Sequence, residues 1–213
     1  MRLQNRVDPF GDIHAVAARG MFTGNRGVIH DPVTRTLLRR RWTTKAWIIC
    51  TCSYKDRPPR DVMGHNGRDG GTGWTELFFL DEVTALAAGH RPCFLCRREA
   101  AARFLGAFGR AFGIDDPKTP QIDARLHAER MASRNSGEPI PIEEPATLPD
   151  GTMVSAGGDA FAIRDGVALR WTFDGYEPAG RADALAGKAR LITPPTSVAI
   201  LRAGYAPVWK DVT

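Results

Sequence analysis

All four cysteines of this 213-residue chain fall into two close pairs, Cys50 with Cys52 and Cys93 with Cys96. Two cysteines separated by two residues can place both sulfurs on one tetrahedral metal ion, and this spacing is typical of structural zinc sites. A second pair would complete such a site with four thiolates. The sequence therefore predicts that Zn²⁺ is held by Cys50, Cys52, Cys93 and Cys96.

The segment before the second pair predicts how its thiols are presented. The apolar residues 77–80 predict a short strand, Asp81 is expected to begin a short helix, and Gly89 is expected to end it. A glycine can adopt the left-handed conformation that closes a helix, and Pro92 prevents the helix from resuming. The turn that follows then delivers both cysteines of the second pair at a fixed position.

The spacing within the first pair leaves the fourth ligand open. In an extended strand, side chains two residues apart point the same way but stand about 6 to 7 Å apart, which is too far for two sulfurs on one zinc ion. Cys52 must therefore lie at a bend, or another residue supplies the fourth ligand. The histidines that could do so are His30, His65 and His90.

The chain has a formal net charge of +5, and the positive excess belongs to its first half. Residues 1–112 contain 18 Lys and Arg against 10 Asp and Glu, whereas the remainder has 11 against 14. Such a surface is typical of proteins that bind phosphate backbones, so we expect a nucleic-acid partner, with DNA favoured over RNA. The alternative is a basic surface whose charge is incidental. The candidate contacts are Arg39, Arg40, Arg41, Arg91, Arg97 and Arg98, together with the loop 57–68.

The composition, with 43% hydrophobic and 25% charged residues, is that of a globular protein. No apolar run has the length that spans a bilayer, and the opening residues lack the apolar core of a signal peptide. These features predict a cytoplasmic protein without a membrane partner. Thiols stay reduced in that compartment, which favours metal ligation over disulfide formation.

Hydrophobic patterning predicts an α+β fold in three parts. Residues 1–112 combine short strands and helices around the cysteines, as a small zinc-stapled β-sheet with helices. Residues 113–150 are a helical connector and a linker rich in Pro and Gly. Residues 151–213 are a small β-rich domain with a hairpin turn at Asp165-Gly166 and a C-terminal helix capped by Thr193.

The connector helix contains a second candidate for chemistry. Asp123, His127 and Arg130 share one side of it because of their four- and three-residue spacing. An Asp–His pair can act as a general base, and an arginine can stabilise developing negative charge. The pattern is consistent with a hydrolase or nuclease that uses Asp123 and His127 as catalytic residues. An ordinary charge pair on a helix surface is the alternative.

Residues 43–100 resemble the zinc-binding N-terminal domain of the Ada methylphosphotriester DNA repair protein. The likeness lies in a strand that ends at Cys50, a phenylalanine pair followed by an Ala-rich helix at 77–88, and a Gly-aromatic-Arg-Pro-Cys-x-x-Cys segment, here residues 89–96 with histidine at the aromatic position. The resemblance implies that Cys50 both binds zinc and accepts a methyl group from a DNA phosphotriester. A zinc-bound thiolate is the nucleophile that such a transfer needs. The family places three residues between its first two cysteines, whereas this chain has only Thr51 there.

Three classes of function follow from these patterns. The first is a zinc-binding protein that engages nucleic acid through its basic N-terminal part, in DNA repair or processing. The second is an enzyme, either a thiolate methyl acceptor at Cys50 or a hydrolase that uses Asp123 and His127. The third is a structural or partner-binding protein.

Overall fold

The computed structural model describes residues 2–53, 61–136 and 140–211, and it has the mixed α+β architecture that the sequence predicts. Its α-helices are α1 Glu82–Ala87, α2 Arg98–Phe112, α3 Thr119–Ser136 and α4 Pro195–Arg202. Short 3₁₀ helices cover Pro145–Thr147 and Ala182–Leu185. None of the helices within the described residues is long and apolar enough to cross a membrane.

The N-terminal half contributes eight short strands. They are β1 Arg6–Val7, β2 Ile13–His14, β3 Phe22–Asn25, β4 His30–Asp31, β5 Thr36–Leu37, β6 Ile48–Thr51, β7 Leu77–Phe79 and β8 Arg91–Pro92. Six of them form a mixed sheet in the order β2-β1-β7-β3-β6-β8, and β4 and β5 form a separate hairpin. The pairs β1–β7 and β6–β8 are parallel.

The C-terminal part forms a second six-stranded sheet, and all of its strand pairs are antiparallel. In chain order its strands are β9 Pro141–Ile142, β10 Met153–Ala156, β11 Asp159–Arg164, β12 Val167–Trp171, β13 Tyr176–Arg181 and β14 Ala189–Leu191. Asp165 and Gly166 join β11 to β12 with positive φ angles of 51° and 71°, which confirms the predicted hairpin turn. The edge strand β13 was not predicted, because Pro178 and Gly180 interrupt its apolar pattern.

Helix α1 lies between the two halves, and all six of its residues are buried. Ala85 and Leu86 pack into a core with the first sheet and α2, whereas Val83 and Ala87 pack into a core with the second sheet. A helix that is buried on every side has a partner on each face. Polar links join the same elements, since the Tyr176 hydroxyl donates to the buried Asp81 carboxylate at 2.8 Å.

The remaining helices cover one side of the first sheet. Phe104 and Phe108 of α2, Ile122 of α3 and Ile200 of α4 belong to the core that includes α1. The first residues of the chain and its last helix therefore share a hydrophobic core. The proposed division at residues 112 and 150 stays a prediction, and these contacts show that the first and third parts pack directly against each other.

The start of α4 differs from the prediction that Thr193 caps it. The Thr193 hydroxyl instead accepts a hydrogen bond from the backbone N–H of Met153, at 2.8 Å. Glu129 of α3 performs the capping role, because its carboxylate accepts hydrogen bonds from the backbone N–H of Thr196 at 3.1 and 3.2 Å. Glu129 of α3 thus accepts from a backbone N–H in the first turn of α4, a role that was expected for the adjacent Thr193.

Candidate metal centre

Strand pairing brings Cys50 beside the second cysteine pair. Strand β6, which contains Cys50, runs parallel to β8, and Ile49 lies opposite Pro92. The backbone N–H of Cys93 continues this ladder by donating to the carbonyl of Ile49 at 3.0 Å. Residues that are far apart in the sequence therefore meet at the carboxyl ends of two neighbouring strands.

The end of α1 fixes the other side of the turn. Asp81 caps α1 at its N-terminus by accepting from the backbone N–H of Thr84, as the sequence predicts. Gly89 follows the helix with a φ of +79°, and a Cβ there would lie 2.8 Å from Cδ of Arg130. Glycine is needed at this position for its backbone angle and for the close approach of that arginine.

The sulfurs of Cys50, Cys93 and Cys96 all lie within 4.8 Å of one another. Zinc–sulfur bonds of about 2.3 Å in a tetrahedron place the sulfurs about 3.8 Å apart, so the arrangement fits three ligands of one ion. Backbone donors also point at the sulfurs. The N–H of Leu95 donates to Cys93 Sγ at 3.4 Å, and the N–H of Thr51 donates to Cys96. These three cysteines could therefore bind a metal ion.

Cys50, Cys93 and Cys96 are called the three-cysteine cluster below. Hydrogen bonds among their thiols shift the pKa values of Cys50 and Cys93 in opposite directions. Hydrogen bonds from the other two thiols lower the pKa of Cys93 well below its ordinary value. The hydrogen bond that Cys50 makes to Cys93, and then the one to Cys96, raise the pKa of Cys50. These contacts favour the thiolate form at Cys93 more than at Cys50.

Cys52 lies outside this cluster. It is exposed, and its thiol donates to the carbonyl oxygen of Met21 at 3.4 Å. The structure thus brings together three of the four cysteines that the sequence nominated as ligands. Cys52 lies at a bend just after β6, as one of the two sequence alternatives required, but the bend does not bring its thiol into the cluster.

The three candidate histidines have other surroundings. His30 is buried in a hydrogen-bonded position between the Thr75 hydroxyl, 2.6 Å from Nδ1, and the Gly64 carbonyl, 3.3 Å from Nε2. His65 is exposed in the loop that follows the first cysteine pair. Neither histidine belongs to the three-cysteine cluster found among the described residues.

His90, the third candidate ligand, packs in the core instead of joining the cluster. Its ring centroid lies 4.7 Å from that of Phe79 and 5.1 Å from that of Trp47. Arg26 donates from Nε to His90 Nε2 at 3.3 Å, so Nε2 acts as an acceptor. Burial, and then the charges of Arg26 and Arg130, hold the pKa of His90 well below its ordinary value.

Two arginines that the sequence assigned to nucleic-acid binding are internal. Arg91 donates two hydrogen bonds to the carboxylate of Asp123, at 2.7 and 2.8 Å, and its side chain is 9% exposed. Arg97 donates two hydrogen bonds to the buried carboxylate of Glu82. Both guanidinium groups are therefore paired with carboxylates from α3 and α1 in the interior, and neither is presented to a phosphate backbone.

The other candidate arginines lie on the surface. Arg39, Arg40 and Arg41 are exposed in an irregular segment between β5 and β6 rather than in a strand, and Arg98 is exposed at the start of α2. Residues 57–60 of the predicted basic loop lie outside the described residues. Among the described residues, the accessible parts of the predicted interface therefore include the continuous basic segment 39–41 and Arg98.

The predicted Asp123–His127 pair is replaced by other contacts. Both oxygens of Asp123 accept from Arg91, and among the described contacts no hydrogen bond joins Asp123 to His127. The ring of His127 stacks edge-on against Trp42, with centroids 4.9 Å apart. Partial burial, and then the charges of Arg130 and Lys45, lower the pKa of His127. Because the Asp123 carboxylate is paired with Arg91, it does not orient the His127 imidazole as a general base.

Sequence reasoning missed the group around Trp47. The guanidinium groups of Arg26 and Arg130 each lie 4.1 Å from the centroid of the Trp47 ring, and Trp47 is buried. Buried arginines have no characteristic spacing in a sequence, and the helical spacing of Arg130 with Asp123 and His127 pointed to a different role for it.

No protein-family model, curated protein sequence or solved structure matches this chain.

Proposed function

We propose that this protein binds one zinc ion through Cys50, Cys93 and Cys96. The observation that supports this most directly is the convergence of three thiol groups, within 4.8 Å, from a strand and from a turn that are distant in the sequence. Thiolates are soft ligands, and a Cys-x-x-Cys turn is the usual zinc-binding unit of proteins. Zinc would join the end of β6 to the turn before α2.

The surroundings of the sulfurs support a metal-bound state. Three thiolates concentrate negative charge, and the N–H groups of Leu95 and Thr51 already point at the sulfurs. Such outer contacts orient the ligands of metal sites and stabilise their charge. When bound, zinc supplies a positive centre that keeps the three thiols deprotonated at neutral pH.

The test is the zinc content of protein purified without chelator, for the wild type and two matched variants. We expect one zinc per chain in the wild type and in Cys52→Ser, and loss of zinc in Cys93→Ser. Both variants remove one thiol, so they differ only in whether that thiol belongs to the cluster. A wild type without zinc, or zinc lost equally from both variants, would contradict the proposed ligand set.

The second candidate function is binding of nucleic acid. The supporting observation is the exposed run Arg39–Arg41, which can contact several successive phosphates. We expect the triple substitution of Arg39, Arg40 and Arg41 by Ala to weaken binding of a DNA duplex. The slope of log affinity against log salt should fall by about 0.9 for each lost phosphate contact. Arg170→Ala, on the exposed face of the C-terminal sheet, is the control and should leave the slope unchanged.

The Ada resemblance extends this second candidate to methyl transfer. In this proposal the Cys50 sulfur forms a bond to the methyl carbon of a DNA phosphotriester, and the carbon–oxygen bond breaks to leave a phosphodiester. Cys50 is half-buried at the end of β6. Incubation with methylated DNA should add one methyl group to the peptide that contains Cys50. An unmodified Cys50 in zinc-loaded protein that binds the same DNA would contradict methyl transfer.

A further inference from the structure

The three-cysteine cluster has a place for a fourth ligand that the described residues do not fill. Structural zinc sites are four-coordinate and closed, whereas three protein ligands leave one position for an external group. Cys52 is hydrogen-bonded to a backbone carbonyl, and the described histidines lie elsewhere. This inference rests on the metal site proposed above.

The cluster is also reachable from outside. Cys50 and Cys96 are half-buried rather than enclosed. A groove of about 520 Å³ borders Cys93, and much of its wall is formed by the side chains of Ile48, Trp74, Phe94 and Leu95. Leu95 lies between Cys93 and Cys96 and is 62% exposed, so much of its apolar side chain faces the groove and solvent. An apolar groove therefore lies next to the cluster.

We propose that the open position binds an external thiol whose apolar substituent lies in this groove. A soft sulfur matches the three thiolates already present and would complete a tetrahedral set of four. The thiol would lose its proton to solvent, and its sulfur would take the fourth position beside Cys50, Cys93 and Cys96. The apolar wall then selects thiols that have a hydrophobic body over small polar ones.

Cobalt substitution tests this directly, because the visible spectrum of Co²⁺ reports the number of sulfur ligands. We expect both 2-mercaptoethanol and benzyl mercaptan to shift the absorption of the Co²⁺-loaded protein. Benzyl mercaptan should reach half-saturation at a concentration about tenfold lower, since part of its ring is buried. Cys52→Ser should give the same half-saturation concentrations as the wild type. Leu95→Ser should bring the half-saturation concentrations of benzyl mercaptan and 2-mercaptoethanol closer together.

The outcomes separate this inference from the proposed function. If the wild type binds no Co²⁺, the metal site itself is wrong. If Co²⁺ binds but neither thiol changes the spectrum, the metal site stands and the open position is wrong. If both thiols bind with equal affinity in the wild type, the groove does not contribute and the proposed selectivity fails.

Discussion

Arg97 donates from both of its terminal nitrogens to the two oxygens of Glu82, at 2.8 and 2.9 Å. The two side chains are 7% and 1% exposed. Glu82 also accepts from the Tyr205 hydroxyl at 2.6 Å and from the backbone N–H of Val208 at 2.9 Å. Arg97 directly follows Cys96, so this ion pair connects the cysteine turn to α1 and to the C-terminal segment.

Replacing Arg97 by Ala should strongly destabilise the fold. The substitution leaves the charge of Glu82 buried without its cation, and such a loss costs about 3 to 5 kcal/mol in the free energy of unfolding. Chemical denaturation measures this value. Arg98→Ala removes an exposed arginine one position later and should change stability by less than about 0.5 kcal/mol. Equal effects of the two substitutions would show that the ion pair contributes nothing specific.

His90 should make the protein less stable in mild acid. Its pKa is held well below the ordinary value in the folded state, mainly by burial, whereas the unfolded chain takes up a proton near pH 6.5. The unfolded state then binds more protons below about pH 6.5, and the free energy of unfolding falls as the pH decreases through that range. The largest slope from one such group is about 1.4 kcal/mol per pH unit.

The matched variants for this prediction are His90→Gln and His65→Gln. Glutamine at position 90 keeps an acceptor for Arg26 but cannot titrate, so the acid sensitivity should decrease relative to wild type. His65 is exposed, and its replacement should leave the pH profile unchanged. Denaturation at several pH values between 4.5 and 7.5 gives both profiles. An acid sensitivity that His90→Gln leaves intact would assign the effect to other groups.

Glu129 should stabilise the start of α4 from outside that helix. Its carboxylate accepts hydrogen bonds from both the N–H and the hydroxyl of the buried Thr196. Loss of a helix cap costs about 0.5 to 2 kcal/mol, so Glu129→Ala should lower the free energy of unfolding by that amount. Glu129→Gln retains an acceptor oxygen and should lose less. Denaturation curves in which the two variants lose equal stability would contradict the capping role.

Local features of the sequence predicted the elements around the cysteines well. Asp81 and Gly89 bound α1 as their capping preferences indicate, and the pair Cys93 and Cys96 lies in the turn that follows. The hairpin at Asp165-Gly166 was also predicted correctly, because an Asp-Gly step favours a tight turn between two strands. These signals lie within a few residues of the structure that they specify.

Features that depend on distant residues were not predictable in the same way. Arg91 and Arg97 have the composition of a basic surface, but Asp123 and Glu82 approach them only in the folded chain. Glu129 replaces Thr193 as the cap of α4 for the same reason. The spacing of Cys50 and Cys52 did indicate that the two could not both bind one metal ion from a regular strand. It left open which of them would lie outside the cluster.

Thiol labelling of the zinc-loaded protein tests the central claim most directly. Short exposure to iodoacetamide, followed by peptide mass spectrometry, should modify Cys52 and leave the three cluster cysteines intact. A chelator added first should make Cys50 and Cys96 reactive as well, because only the metal protects these two thiols. Cys50 and Cys96 are half-buried, so burial alone does not protect them. If Cys50, Cys93 and Cys96 react as fast as Cys52 without chelator, no metal is bound at the cluster, and the account is contradicted.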